Sequence, residues 1–232
     1  SGRVNNVDVP LFVVPGEGSG VAATIRQTSL GVSVTDARVL SGRFAGDVHV
    51  DFFGGQQPST GGRHFPLVRM PTARGIVRWS HAEFLFGQEV PLVVGLNPVS
   101  VAAFSTPEFV TAGNLWLWLP QLRFSTDANA GPVSFGLQGA VLSPTSADPQ
   151  TAFDTEFDPA ERSKRPFLQA RLRAKWGGTS DEPSGDIGVG VHQGWLRGPD
   201  SSLVSSNLVG LDARIPLGPW LELRGEAYTG QA

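Results

Sequence analysis

The feature that most constrains this chain is an alternation of apolar and polar residues that recurs along its length. Between residues 40 and 52, the even positions carry Leu, Gly, Phe and Val, whereas the odd positions carry mostly Ser, Arg, Asp and His. Residues 167–176 repeat the pattern, with Leu, Ala and Trp opposite Phe, Gln, Arg and Lys. A period of two residues places successive side chains on opposite faces of a strand, whereas an amphipathic helix has a period near 3.6. The alternation therefore predicts an all-β protein.

Ten segments show the alternation with varying strength, and we expect each of them to form a strand. No segment has the pattern of an amphipathic helix, and the nearest to one lies within residues 99–110. The 29 Gly and 18 Pro residues also disfavour a helical bundle, because both interrupt helices. The predicted strands cover residues 24–35, 40–52, 67–79, 82–87, 114–126, 132–141, 167–176, 186–197, 206–216 and 220–229.

The connections between these segments alternate between short and long over the first six. Such an order is expected for an up-and-down meander with short turns at one end and long loops at the other, which is the plan of a transmembrane β-barrel. A β-sandwich is not expected to alternate so regularly. We therefore predict an antiparallel up-and-down transmembrane β-barrel over residues 23–232, preceded by a Pro/Gly-rich approach segment at residues 1–22. The expected long loops are residues 54–65, 88–112 and 143–165.

Composition excludes several other classes of protein. The chain has no Cys, so disulfide scaffolds and cysteine-based metal sites are excluded. A net charge of −3 gives no broad basic surface for nucleic acid. The motifs G-x-S-x-G, Walker A and H-E-x-x-H are absent, so we expect no enzyme activity, no cofactor and no metal. No apolar run is long enough for a membrane-spanning helix, but a spanning strand needs only about 9–11 residues.

The polar face of the predicted strands is densely charged. Such a face could be the solvated outside of a soluble β-sandwich or the wall of a water-filled lumen. The prevalence of Arg among the cations and the large aromatic residues near strand ends favour the lumen. The aromatic residues are Phe52, Phe53, Trp79, Trp116, Trp118, Trp176, Trp195, Trp220 and Tyr228. The predicted pore-lining residues are Arg43, Asp47, His49, Asp51, Arg74, Arg78, Arg123, Arg171, Arg173, Lys175, Glu222, Arg224 and Glu226.

Several short motifs resemble those of large Gram-negative outer-membrane porins that have a long inward loop. The resemblance implies a trimeric or monomeric channel for small hydrophilic solutes in the bacterial outer membrane, in contact with the lipid bilayer and lipopolysaccharide. The matching stretches are RQTSLGV at 26–32, GDVHVDFFGG at 46–55, FGQ at 86–88 with LNP at 96–98, GNLW at 113–116 with PQLR at 120–123, and LELRGEAYTG at 221–230.

The resemblance also identifies residues 88–112 as the inward loop, with Glu89, Asn97 and Glu108 as its constriction residues. The loop is otherwise mostly apolar, which leaves open whether it lines an eyelet, packs against the wall or plugs the pore. A plugged barrel would serve instead as an anchor for a partner complex. A soluble β-sandwich that acts as a binding module is the remaining alternative.

We also expect the sequence to be part of a larger barrel. Single-chain bacterial barrels have an even number of strands and pair the first strand with the last. Proteins of the kind that the motifs resemble typically end on an aromatic residue, whereas this sequence ends in TGQA. The solute, the oligomeric state and the total number of strands stay open.

Overall fold

The computed structural model describes residues 2–4, 13–15, 28–54, 67–93, 95–96, 115–146, 156–178 and 183–231. Within these ranges the protein is all-β, apart from one 3-10 turn at Glu161–Ser163. In the part of the chain that the structure describes, no helix is long and apolar enough to span a membrane.

A small antiparallel pair lies near the start of the chain. It consists of β1 (Gly2–Val4) and β2 (Val13–Pro15), which pair with each other and with no other strand among the described residues. The sequence predicts no strand before residue 23, so this expectation is wrong. Strands of three residues are too short to show a period of two, which explains why the alternation does not reveal them.

The remaining ten strands form one antiparallel sheet in which every strand pairs with its neighbours in sequence. The predicted up-and-down order is therefore confirmed. Among the described residues the first and last strands of this sheet each pair with one neighbour, so the sheet is open. The strands are β3 (Ser29–Val39), β4 (Gly42–Gly54), β5 (Leu67–Arg78), β6 (Ala82–Glu89), β7 (Leu119–Ala130), β8 (Val133–Leu142), β9 (Phe167–Gly178), β10 (Pro183–Arg197), β11 (Leu203–Pro216) and β12 (Glu222–Gln231).

β7 begins at Leu119 rather than at the predicted residue 114. Residues 115–118, which precede β7, are all apolar and do not alternate, because they pack against other parts of the protein. The rings of Trp116 and Trp118 meet edge to face with their centres 4.6 Å apart, and Leu117 packs against a buried apolar cluster. Alternation is a poor guide where both faces of a segment are covered.

The short connections lie together at one end of the sheet, here called the short-turn end. Leu40 and Ser41 form a two-residue turn, and their φ angles of 50° and 63° lie in the left-handed region that such hairpin turns require. The connections at the opposite, long-loop end are residues 55–66, 90–118, 143–166 and 198–202. The last of these is shorter than the others, so the alternation of loop lengths weakens towards β11.

The rows of paired residues run obliquely across the sheet. Arg43, the second residue of β4, belongs to a row that passes through Arg171 on β9 and reaches Tyr228, the seventh residue of β12. Both β4 and β12 start at the short-turn end. The strands are therefore tilted relative to the line that joins their turns, as the stagger of a barrel requires.

An apolar cluster lies at the long-loop end and is covered by residues 156–166. The Asp158 carboxylate accepts hydrogen bonds from the backbone N–H groups of Ala160, Glu161 and Ser146, and the Glu161 carboxylate accepts one from Asp158. These bonds fix the 3-10 turn and bury Ala160 completely. The cluster consists of Leu92, Leu119, Ala140, Leu142, Ala160 and Phe167.

Candidate functional site

Burial in the sheet is the reverse of that in a soluble protein. On β9 the exposed fractions are 6% for Arg171 and 7% for Lys175, but 63% for Leu172. On β11, Asp212 is 5% exposed and Leu211 is 49% exposed. A water-soluble sheet buries its apolar side and exposes its charges. We call the side of the sheet that carries Arg171 the charged face, and the side that carries Leu172 the apolar face.

Arg171 is the centre of an ionic network on the charged face. Its Nε donates to Asp212 Oδ2 at 3.0 Å, and its Nη2 donates to the other oxygen of Asp212 and to Asp186 Oδ1 at 3.2 Å. Arg173 donates to the second oxygen of Asp186. Gly188 leaves the room that this network needs, because a Cβ there would collide with the Arg171 guanidinium. The network joins β9, β10 and β11 through fully paired charges.

The same face carries further ion pairs. Arg74 on β5 donates to Asp47 Oδ1 on β4 at 2.9 Å and also contacts Glu89 at the end of β6. Arg69–Asp51 at 2.6 Å and Arg78–Glu83 at 2.8 Å also join neighbouring strands. Lys175 on β9 pairs with Asp127 on β7 at 3.0 Å across β8, and Arg224 pairs with Glu222 within β12.

A short stretch of the connection after β6 crosses the charged face, and we call residues 90–93 and 95–96 the inward segment. Its backbone is held by side chains of the sheet. Arg123 on β7 donates to the carbonyl oxygen of Val90 at 2.5 Å. The N–H of Leu92 donates to Gln169 Oε1 on β9 at 2.7 Å, and the N–H of Leu96 donates to Glu226 Oε1 on β12 at 2.7 Å. The inward segment therefore spans from β6 to β12 across the charged face.

Close packing reinforces these hydrogen bonds. A Cβ on Gly190 of β10 would lie 3.2 Å from Cγ1 of Val93, so the inward segment rests directly on the sheet at this point. The Gln169 amide, which accepts from Leu92, also contacts Nδ1 of His192 at 3.1 Å. Beside the segment is a cavity of about 380 Å³, lined largely by apolar side chains that include Pro91, Val93, Leu119, Phe167, Leu208 and Tyr228.

The pairing register puts all thirteen predicted pore-lining residues on the charged face. Arg123, Arg171, Arg173, Lys175 and Glu226 hold the inward segment or the buried pairs described above. Arg43 and His49 are exposed. The other members are Asp47, Asp51, Arg74, Arg78, Glu222 and Arg224, all in ion pairs. Of the predicted constriction residues, Glu89 pairs with Arg74 at the start of the loop, whereas Asn97 and Glu108 lie outside the described residues.

Sequence reasoning missed half of the acidic partners in the ion pairs. It also missed both amides that hold the inward segment, Gln169 and Gln121, the second of which donates from Nε2 to the carbonyl oxygens of Glu89 and Val90. Their signal was present, because each lies at the polar positions of a period of two, as Asp186 and Asp212 do on β10 and β11. β10 alternates weakly, since Gly188, Gly190 and Gly194 occupy much of its polar face. The missed residues are Arg69, Glu83, Gln121, Asp127, Gln169, Asp186 and Asp212.

Aromatic residues lie at both ends of the apolar face, with exceptions to the predicted set. Trp176 covers Gly185 near the short-turn end, and Nε1 of Trp79 donates to the carbonyl oxygen of Leu40 at 3.0 Å. Trp195 lies near the long-loop end of β10. Tyr228 is on the charged face, so its predicted place in an aromatic girdle is wrong.

Comparison with known proteins bears on the fold. No family profile matches the sequence, and no curated protein matches it at a significant level. The crystal structure of the outer membrane channel DcaP of Acinetobacter baumannii matches with a TM-score of 0.59 and 19% sequence identity, covering 88% of this chain and 51% of that one. This chain has the fold of a porin-like outer-membrane β-barrel.

The match to DcaP confirms the predicted fold class, and at this identity it bears on the fold alone. This chain spans about half the length of that channel, and its ten-stranded sheet is open, which agrees with the expectation of a larger barrel. A second match, to OmpT, an outer membrane protein of Vibrio cholerae in its trimer form, has a TM-score of 0.28 and 8% identity over 87% of this chain and 80% of that one. That score is too low to carry a structural argument.

Proposed function

We propose that this chain forms part of the wall of an outer-membrane channel for small hydrophilic solutes. The reversed burial of the sheet carries the proposal. Arg171 and Asp212 are almost fully covered, while Leu172 and Leu211 are open to the surroundings. A sheet with this pattern is stable where the apolar face meets lipid and the charged face meets a polar interior.

The dimensions of the strands support a place in the membrane. The ten strands of the sheet contain between 8 and 15 residues, and about 9–11 residues are needed to cross the hydrocarbon layer when tilted. Every strand between the two ends of the sheet has neighbours on both sides, which satisfies the backbone hydrogen bonds that lipid cannot. The bilayer and lipopolysaccharide are thus the proposed surroundings, for either a monomer or a homotrimer.

The charged face supports a polar path through the barrel. Its cations and anions lie in pairs within and between strands, so that a passing solute would meet opposite charges at short intervals. Such an arrangement selects solutes by charge and by size, and it needs no catalytic group. The inward segment narrows the path, because it crosses the charged face from β6 to β12.

The test is the conductance of the full-length protein, purified from membranes in detergent and inserted into planar bilayers. We expect stable ohmic steps. Arg224 has a side chain that is 55% exposed on the charged face, which makes it a suitable probe of the wall. Arg224→Gln and Arg224→Glu should shift the reversal potential in a salt gradient progressively towards cation preference. Conducting channels with the same reversal potential in all three proteins would remove Arg224 from the wall.

A plugged barrel that anchors a partner complex is the second candidate, and the apolar cluster favours it. Leu92 of the inward segment is only 4% exposed and packs with Leu142 and Phe167, which fills the charged side of the sheet at the long-loop end. Protein that inserts into the bilayer but never conducts would support this candidate over an open channel.

A further inference from the structure

The charged face loses its charges towards the long-loop end of β9, β10, β11 and β12. The pairing register shows the change in three successive rows on this face. The first row is Arg173, Gly188, Asp212 and Glu226, the second is Arg171, Gly190, Gly210 and Tyr228, and the third is Gln169, His192, Leu208 and Gly230. The first row carries three charged side chains, the second carries one and the third carries none. The four strands therefore present a neutral region next to the Arg171 network.

The cavity beside the inward segment lies at this neutral region. Val93 of the inward segment bounds it on one side, and Phe167, Leu208 and Tyr228 bound it on the sheet. None of the described residues that line it is Asp, Glu, Lys or Arg. Its volume of about 380 Å³ lies within the range of roughly 300–1,000 Å³ that is typical of small-molecule sites. The cavity is thus large enough for a ligand but offers no charge to pair with an ion.

Hydrogen bonds fix one wall of the cavity. Gln169 Oε1 accepts from the N–H of Leu92 at 2.7 Å, so the Nε2 of this amide is the donor to Nδ1 of His192 at 3.1 Å. Since Nδ1 accepts, the imidazole is neutral and its proton is on Nε2. The His192 ring meets Phe167 edge to face, with the ring centres 4.9 Å apart. Gly194 leaves the space for both rings, because a Cβ there would lie 2.7 Å from Phe167.

This wall leaves a hydrogen-bond donor and some apolar surface uncovered. Among the described residues, no hydrogen bond joins Nε2 of His192 to an acceptor, and Gln169 is its hydrogen-bonding partner at the other nitrogen. Leu208 is half-buried and Tyr228 is 49% exposed. An apolar ring in the cavity would remove these side chains from water, and an oxygen atom on that ring would accept from the imidazole.

We propose that the cavity binds an uncharged solute that combines one apolar ring with a carbonyl or hydroxyl group. A carboxylate or an ammonium group would lose its hydration there without gaining an opposite charge, which is costly. A neutral ring loses little hydration and covers Phe167, Leu208 and Tyr228. The inference rests on the proposed channel, and it names one class of solute that would be held beside the inward segment.

The test compares two ring compounds of nearly equal size and different charge. Fluorine NMR measures the binding of 4-fluorobenzamide and of 4-fluorobenzoate to the full-length protein in phosphatidylcholine nanodiscs, and empty nanodiscs correct for partition into lipid. We expect the neutral amide to bind about tenfold more tightly than the anion at neutral pH, because the cavity gives the carboxylate no counter-charge. Equal binding of the two compounds, or tighter binding of the benzoate, would overturn the proposal.

Two variants of β11 locate the binding site. Leu208→Trp fills part of the cavity and should weaken the binding of 4-fluorobenzamide about tenfold, since a close-packed site has no room for both rings. Leu211→Trp is the matched control, because Leu211 is on the apolar face and 49% exposed. It should bind the amide as the unaltered protein does. The same affinity in all three proteins would place the amide outside the cavity and refute the inference.

Conductance separates this inference from the proposed function. Protein that conducts but binds the two compounds equally refutes the assignment of the cavity and leaves the channel standing. Protein that prefers the amide but never conducts supports the assignment of the cavity and counts against an open channel.

Discussion

Arg171 and Gly188 show how a large residue depends on a small one on the neighbouring strand. The guanidinium of Arg171 lies over the backbone of Gly188 and bridges two carboxylates. A buried charge is costly unless it is paired, so the position of this guanidinium determines whether Asp186 and Asp212 are also satisfied. A glycine in a strand interior is usually unfavourable, but here it provides the space for the cation.

Gly188→Ala should therefore destabilise the protein, although alanine is otherwise better suited to a strand. The added Cβ would displace Arg171 from Asp212, and we expect a loss of about 1–3 kcal/mol in the free energy of unfolding. Urea unfolding in lipid vesicles would measure it.

Gly139→Ala is the matched control for this substitution. Gly139 lies within β8, and a Cβ there would have no heavy atom within 4 Å. It should leave stability unchanged or raise it slightly, because glycine loses more conformational freedom on folding. Equal effects of the two substitutions would show that the Arg171 network does not depend on the space at Gly188.

The strands are the elements at which sequence reasoning was most successful. The alternation predicted all ten strands of the sheet and their order, because each strand separates two environments and so repeats every second residue. It failed where one environment surrounds the chain. Trp116 and Leu117 are covered by tertiary packing, and three-residue strands such as β1 leave no period to detect.

The candidate site was less predictable than the strands. Parity alone put Arg123 and Glu226 on the correct face, but nothing local indicates that they bind the backbone of the inward segment. Those contacts join residues 33 and 130 positions apart, at Val90 and Leu96. Only the curvature and register of the complete sheet bring them together.

The two faces of β11 offer a test of which one meets lipid. Val209 is on the apolar face and 51% exposed, whereas Ser206 lines the cavity beside the charged face. Val209→Arg should impair folding into vesicles by about 2–4 kcal/mol, the cost of a lipid-facing Arg near the bilayer midplane. Ser206→Arg, three residues away on the same strand, should fold normally. The reverse result would exchange the assigned faces.

At the scale of the whole molecule, the inward segment links strands that lie far apart in the sheet. It touches the sheet through hydrogen bonds at β7, β9 and β12 and by packing at β10. These contacts satisfy several of its backbone groups, so it has a fixed path rather than the freedom of an exposed loop. We expect this path to persist while the channel conducts.

A cross-link can test this expectation. A Cβ at Gly190 lies 3.6 Å from Cα of Val93, which is close enough for a disulfide in Val93→Cys/Gly190→Cys. The protein has no Cys of its own, so the pair would be its only thiols. Oxidation should leave the single-channel conductance unchanged, and reduction should not alter it. The single variants are the controls. A disulfide that closes the channel would show that the inward segment must leave the sheet for solutes to pass.

The oblique rows of paired residues have a consequence for the path of a solute. Arg43 and Arg171 belong to one row but lie at different heights above the turns, because the strands are tilted. The charges along such a row therefore follow a helical line about the barrel axis. A solute that keeps contact with successive pairs must turn about the barrel axis as it advances. In the proposed channel, passage along such a wall would couple rotation to translation, and the stagger of the strands would set the pitch.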